Sequence, residues 1–267
     1  MKLLILHVLI HFVIFGGKYY STSANPLTGE RIKLLTKNEF SSAACLLRKT
    51  NDNLLTIFCT ATFFTTSDLV TTASCLQLFE TEGFYVQAGS HDVRLGESYE
   101  PTWWITFDQY IVKYNKTKLH DHNDIGVIKL PFSARFVTPS PLSQLSPSQL
   151  IGKKVKVIGC TPCYSNPSEP LTIKKKAHVN ILSNEECLAK AMKIREQNWC
   201  IPEYVLCTRN KPHAIMDDPD HGGPLILNGE LLAITLGLMF FEESTEDKKK
   251  INLHLSIHDY REFFKFS

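Results

Sequence analysis

Asp217-Asp218-Pro219-Asp220-His221-Gly222-Gly223-Pro224-Leu225 is the stretch on which the reading of this chain turns. Three aspartates, two prolines and two adjacent glycines mark a tight loop, with one histidine at its centre. Pro219 has no backbone N–H, so this loop lacks an amide donor that most other residues would supply. Asp218, Asp220 and His221 carry metal-ligating side chains, but adjacent residues rarely converge on one ion. No metal site or cofactor is expected here.

Around this loop lies a chain of 267 residues, long enough for two small domains or one large all-β domain. Hydrophobic residues make up 43% and charged residues 21%, ordinary values for a globular protein with a real core. The formal charge of +2 is close to balance, so net electrostatics imply no polyanionic partner, nucleic acid included. Lys2 precedes an apolar run, Leu3 to Phe15, and then small and polar residues ending in Thr22-Ser23-Ala24. This is the layout of a secretory signal peptide, expected over residues 1–24, with the mature chain starting near Asn25. The run falls short of the ~20 residues that span a bilayer, so no membrane partner is expected and the localisation is extracellular. In that oxidising compartment an even count of eight cysteines reads as disulfides. Asn115-Lys116-Thr117 is a glycosylation sequon.

Residues 25–31 form a short polar segment containing Pro26 and Gly29, expected to be extended and exposed. From Leu34 onward short apolar runs recur between turn residues, among them Phe84 to Ala88, Ile125 to Leu130, Val155 to Ile158 and Leu231 to Leu238. Their spacing predicts an all-β assembly. Helical patterns occur at Asn184 to Glu196 and at His258 to Phe266. The lysine runs 174–176 and 248–250 read as solvated loops or strand ends, with a polyanion patch as the alternative if the fold brings the two together. Cys160-Thr161-Pro162-Cys163 has the spacing of a metal or redox pair, but without a second such motif it reads as structural.

Several segments, in order, resemble the chymotrypsin/trypsin-like serine proteases. Leu69-Val70-Thr71-Thr72-Ala73-Ser74-Cys75 is similar to that family's Val-Leu-Thr-Ala-Ala-His-Cys segment, with Cys59 ahead of it. Asn123-Asp124-Ile125-Gly126-Val127-Ile128-Lys129-Leu130 resembles the segment that carries the orienting aspartate. Pro219-Asp220-His221-Gly222-Gly223-Pro224 resembles Gly-Asp-Ser-Gly-Gly-Pro, and Ala233 to Gly237 the strand lining the substrate cleft. The resemblance implies an all-β chymotrypsin-like fold of two six-stranded antiparallel barrels with a C-terminal helix. It further implies one domain over residues 32–267, a Cys59–Cys75 disulfide and a second pair, Cys187–Cys200. Cys45, Cys160, Cys163 and Cys207 remain, with three possible connectivities.

The departures from the family carry the functional reading. Ser74 stands where the general-base histidine belongs, His221 replaces the nucleophilic serine, and Asp124 is kept. Pro219 takes the place of a glycine whose N–H helps bind the oxyanion. Ile215 replaces the aspartate of a trypsin-like specificity pocket. Arg31-Ile32 matches the family's activation cleavage, whose new terminus would pair with Asp220, although Lys33-Leu34-Leu35 lacks the glycines that follow in the family. The chain therefore resembles non-catalytic protease homologues of the kind common in arthropod haemolymph and venoms. The implied partner is another secreted protein: a protease, an inhibitor or a cascade component. The alternative is an active endopeptidase in which His221 deprotonates Ser74, with Asp124 retained. It would lack a two-donor oxyanion hole facing an attack from Ser74.

Overall fold

A computed structural model describes residues 27, 29, 32–49, 55–77, 83–160, 173–195, 201–209, 214–216, 218–239 and 251–266. Strands β2 (Ala43–Lys49), β3 (Leu55–Phe63), β4 (Asp68–Thr71), β5 (Tyr85–Ala88), β6 (Glu97–Tyr99), β7 (Trp103–Thr106) and β8 (Gly126–Lys129) form one antiparallel sheet. Its order is β6-β5-β2-β3-β4-β8-β7. The second sheet contains β1 (Lys33–Leu34), β9 (Lys154–Gly159), β10 (Lys175–Ile181), β11 (Val205–Arg209), β12 (Pro224–Leu227), β13 (Glu230–Met239) and β14 (Ile251–Ser256). There β9 pairs with both β12 and β10, closing six strands into a barrel, and β1 adds to the outside of β10. The chymotrypsin-like architecture is thus present, with one difference from two closed six-stranded barrels. The first sheet curls without a ladder between its end strands β6 and β7. Pro101 lies in the short link between them and cannot donate to a ladder.

Alternation along the strands explains which face each barrel buries. Val155 and Val157 on β9, and Ala177, Val179 and Ile181 on β10, face the second core, while Lys154, His178 and Asn180 are exposed. Leu46, Ala61, Phe63, Leu69, Val86 and Ile128 fill the first core in the same way. A third cluster joins the two: Val70 and Val127 from the first sheet meet Leu231, Ile234 and Leu255 from the second. The C-terminal segment caps this seam as a 3-10 turn at His258–Tyr260 followed by α5 (Arg261–Phe264). Phe263 packs edge-on against Phe107 at the start of α2 (Phe107–Lys113), with ring centroids 5.3 Å apart. The other helices are α1 (Ala73–Gln77), α3 (Pro147–Leu150) and α4 (Asn184–Arg195).

Disulfides join Cys59 to Cys75, Cys45 to Cys160 and Cys187 to Cys207. The expected Cys187–Cys200 pair is corrected. Leu182 N–H donates to the Cys207 carbonyl at 2.9 Å, which lays β11 beside the start of α4 and brings Cys207 to Cys187. Cys163 and Cys200 lie outside the described residues. Cys45 is on β2 and Cys160 follows β9, so this bond ties one sheet to the other.

The first lysine run is also corrected, because it is not solvated. Lys174 is 1% and Lys175 6% exposed, and the Lys174 ammonium nitrogen donates to the Ala43 carbonyl at 2.5 Å. Burial pulls the Lys174 amine down to about 7. Lys176 pairs with Glu39. Burial raises the Glu39 carboxyl, but hydrogen bonds from Lys176 and Thr36 outweigh it and hold Glu39 at about 2. Lys248 to Lys250 lie outside the described residues.

Candidate functional site: a cleft between the sheets

The first-sheet side of the cleft is built on the turn from β4 into α1. Ser74, in the first turn of α1, donates its N–H to Asp124 Oδ1 at 2.7 Å, and its hydroxyl lies 3.1 Å from both Asp124 Oδ2 and Thr72 Oγ1. Asp124 is positioned by its neighbour Asn123, whose side chain bonds Asp108 at 3.1 Å and the His120 carbonyl at 2.8 Å. The Tyr260 hydroxyl, from the C-terminal cap, donates to Asn123 at 3.0 Å. Burial raises the Asp124 carboxyl above the usual carboxylate range, and the Ser74 N–H and the charge of His221 pull against it. The hydroxyl of Ser74 is therefore engaged by Asp124 and Thr72 rather than presented to an attacking base.

The second-sheet side is the loop from the 3-10 turn Asp218–Asp220 into β12. Hydrogen bonds fix it from both sheets. Thr60 N–H donates to the His221 carbonyl at 2.9 Å, the Thr60 hydroxyl to the Pro219 carbonyl at 2.8 Å, and Gly222 N–H to the Thr235 carbonyl at 2.8 Å. Gly222 is demanded by this closeness. A β-carbon there would stand 2.1 Å from the Thr71 hydroxyl, and its φ of 78° is left-handed. The His221 ring lies against the backbone of β13, where a β-carbon on Gly237 would come within 2.5 Å of Nε2. The imidazole thus covers the strand edge that lines the cleft. Pro219 supplies no N–H, and the Gly222 N–H is already committed to Thr235.

Behind the loop, the space between residues 214–216, β13 and β14 is filled by side chains. Ile215 is buried, and Met216 is fully enclosed and accepts from the Thr235 hydroxyl at 3.6 Å. Asn252 spans the gap, donating to the Ala214 carbonyl at 2.9 Å and accepting from Met216 N–H at 3.1 Å. His254 sits between Thr208 at 2.8 Å and Thr235 at 3.3 Å, and burial lowers its imidazole to about 3. Asn252, His254 and Met216 escaped sequence reasoning, since nothing in a strand pattern tells a buried polar residue from an exposed one.

Asp220 is wholly buried, and in the uncut chain its partner is Leu27. Leu27 N–H donates to Asp220 Oδ2 at 2.9 Å, and the Leu27 side chain, 1% exposed, packs in the second core. Ile32 only packs against the edge of that core. It is followed at once by β1, whose pairing of Lys33 with Lys176 holds this part of the chain on the sheet. Gly159 leaves room for the carboxylate, since a β-carbon there would meet Asp220 Oδ1 at 1.8 Å. Arg31 lies outside the described residues. Asn115 is exposed just after α2, with a left-handed φ of 50° that asparagine tolerates.

A closed barrel beside a curled sheet, with Ser74, Asp124 and His221 where the two meet, defines a protein built on the serine protease plan. The family model for trypsin matches residues 36–264, and the chain belongs to the trypsin family. Trypsin beta of Drosophila erecta is 28% identical over 184 residues, which is 66% of this chain and 66% of that relative's own length. The solved structure of neuropsin, described as a serine protease expressed in the limbic system of mouse brain, superposes with a TM-score of 0.66. It is 22% identical and covers 88% of this chain and 97% of its own, a likeness of fold.

Proposed function

We propose that this chain is a secreted, catalytically inactive serine protease homologue. It acts by binding another secreted protein (a protease, an inhibitor or a cascade component) as cofactor, decoy or regulator, in a fluid such as haemolymph or venom. The observation that carries this reading is the packing of the second-sheet side of the cleft. The His221 ring covers Gly237, while Ile215, Met216, Asn252 and His254 fill the space behind it. A peptide substrate needs that strand edge and that space. Acyl transfer also needs a nucleophile within reach of a base and two oxyanion donors. Here Ser74 is bound to Asp124, and Pro219 offers no donor. Loop surfaces remain for recognition, and residues 1–24 would direct export. Asn115 is open to glycosylation.

A fluorophosphonate probe applied to the pure protein tests the inactive half of this reading. No labelling is expected; labelling lost in Ser74→Ala would establish the rearranged peptidase instead. A pull-down from the native fluid tests the binding half, with a secreted protease or inhibitor as the expected companion.

A further inference from the structure

The sheet pairings bring together four lysines that are scattered in the sequence. Lys33 on β1 lies opposite Lys176 on β10, His178 on β10 lies opposite Lys156 on β9, and Asn180 opposite Lys154. Opposed residues share a face, as do alternate residues of one strand, so these side chains stand on the outer face of the second barrel. Their exposure agrees: Lys33, Lys154 and His178 are exposed, and Lys156 and Lys176 half-buried, while the residues between them point inward. With strands ~4.8 Å apart and same-face neighbours ~6.8 Å apart, the patch measures roughly 10 by 14 Å. Glu39 meets it by pairing with Lys176, and Arg209 on β11, opposite Asn180, borders it.

We propose that this face binds a linear sulfated polysaccharide. The charge arrangement favours that class of anion. Lysine presents a compact point charge that pairs with a single anionic group such as a sulfate, without the planar fork by which arginine reads base edges. Single-stranded nucleic acid would want aromatic rings open for stacking. Phe40, beside the patch, is already covered by the Lys156 ammonium at 5.1 Å. The crowding of charge leaves a mark on His178. Partial burial together with Lys154, Lys156, Lys176 and Lys33 holds its imidazole below the usual histidine range. A polyanion would neutralise those lysines and let His178 take up a proton. By linkage, binding should then strengthen as pH falls from neutral toward 5.

Titrating the full chain with a fluorescent heparin hexasaccharide tests the proposal. Saturable binding is expected, weakening about thirtyfold between about 0.15 and about 0.5 M salt if four charges are neutralised. Lys154→Glu with Lys156→Glu should weaken it at least about tenfold, and Lys33→Gln with Lys176→Gln should also weaken it; Lys118→Glu, on the first-sheet side, should not. The His178 resonance should titrate at higher pH in the complex than in the free protein. Unchanged affinity in both folded double variants would overturn the proposal. So would equal binding of desulfated hexasaccharide, or tighter binding of duplex DNA or of phosphatidylserine vesicles.

Discussion

The two sides of the candidate site carry their departures from the family pattern in different ways. On the first-sheet side the substitution is local, since Ser74 replaces a histidine and donates its N–H to Asp124, with its hydroxyl between Asp124 and Thr72. On the second-sheet side the whole neighbourhood has closed, with His221 over Gly237 and Asn252 bridging Ala214 and Met216. A buried carboxylate remains useful as an acceptor whether or not catalysis takes place. An open apolar pocket contributes nothing to stability, so filling it improves packing. The contrast teaches that Asp124, which the family pattern shares, is also held in place by the hydrogen bonds it accepts from Ser74.

Cutting the covalent tie between the sheets should have the largest effect on this pairing of regions. Cys45 and Cys160 are 115 residues apart, and replacing both with alanine should cost about 5 kcal/mol in the chain-entropy model, read by urea denaturation. Acidification should next single out the second-sheet side. His254 is neutral at about 3 and above when folded, whereas the unfolded chain protonates it near pH 6.5. Stability should therefore be unaffected above that pH and fall steadily from 6.5 to 3, by roughly 5 kcal/mol in all. His254→Gln should flatten the slope, whatever it costs at neutral pH. The first-sheet side should respond to Asp124→Ala, which strands the Ser74 N–H while its hydroxyl keeps Thr72, with a loss of about 1–3 kcal/mol. Smallest of all should be the gain from restoring the triad. Ser74→His with His221→Ser should yield no measurable turnover of peptide esters, because Pro219 and the filled pocket remain. Adding Pro219→Gly restores a donor worth about 2.7–4 kcal/mol. With Asn252→Gly as well, turnover should first become detectable.

The comparison also bears on how far the chain could be read in advance. Strand runs such as Val155 to Ile158 were legible because alternation is local, and the helix at Asn184 because its first turn carries Glu185 and Glu186. The exchange of Ser74 and His221 was legible because the flanking residues resemble family motifs. Partner choices were not. Cys187 selects Cys207 because β11 runs beside α4, and Asp220 takes Leu27 because β1 holds Ile32 on the sheet. The lysine run 174–176 looked solvated since its burial depends on β2, about 130 residues away, placing the Ala43 carbonyl above Lys174.

By itself, then, the order of residues determined the all-β class, the family plan and the identities of the groups around the cleft. Short-range patterns and motif spacing survive in one dimension. Tertiary structure alone decided which cysteines bond, which N–H reaches Asp220, and that Asn252 and His254 occupy the pocket space. It also assembled four separated lysines into one face. Each of these outcomes joins residues far apart in the chain, and pairing of that kind is set by sheet register and close packing rather than by local propensity.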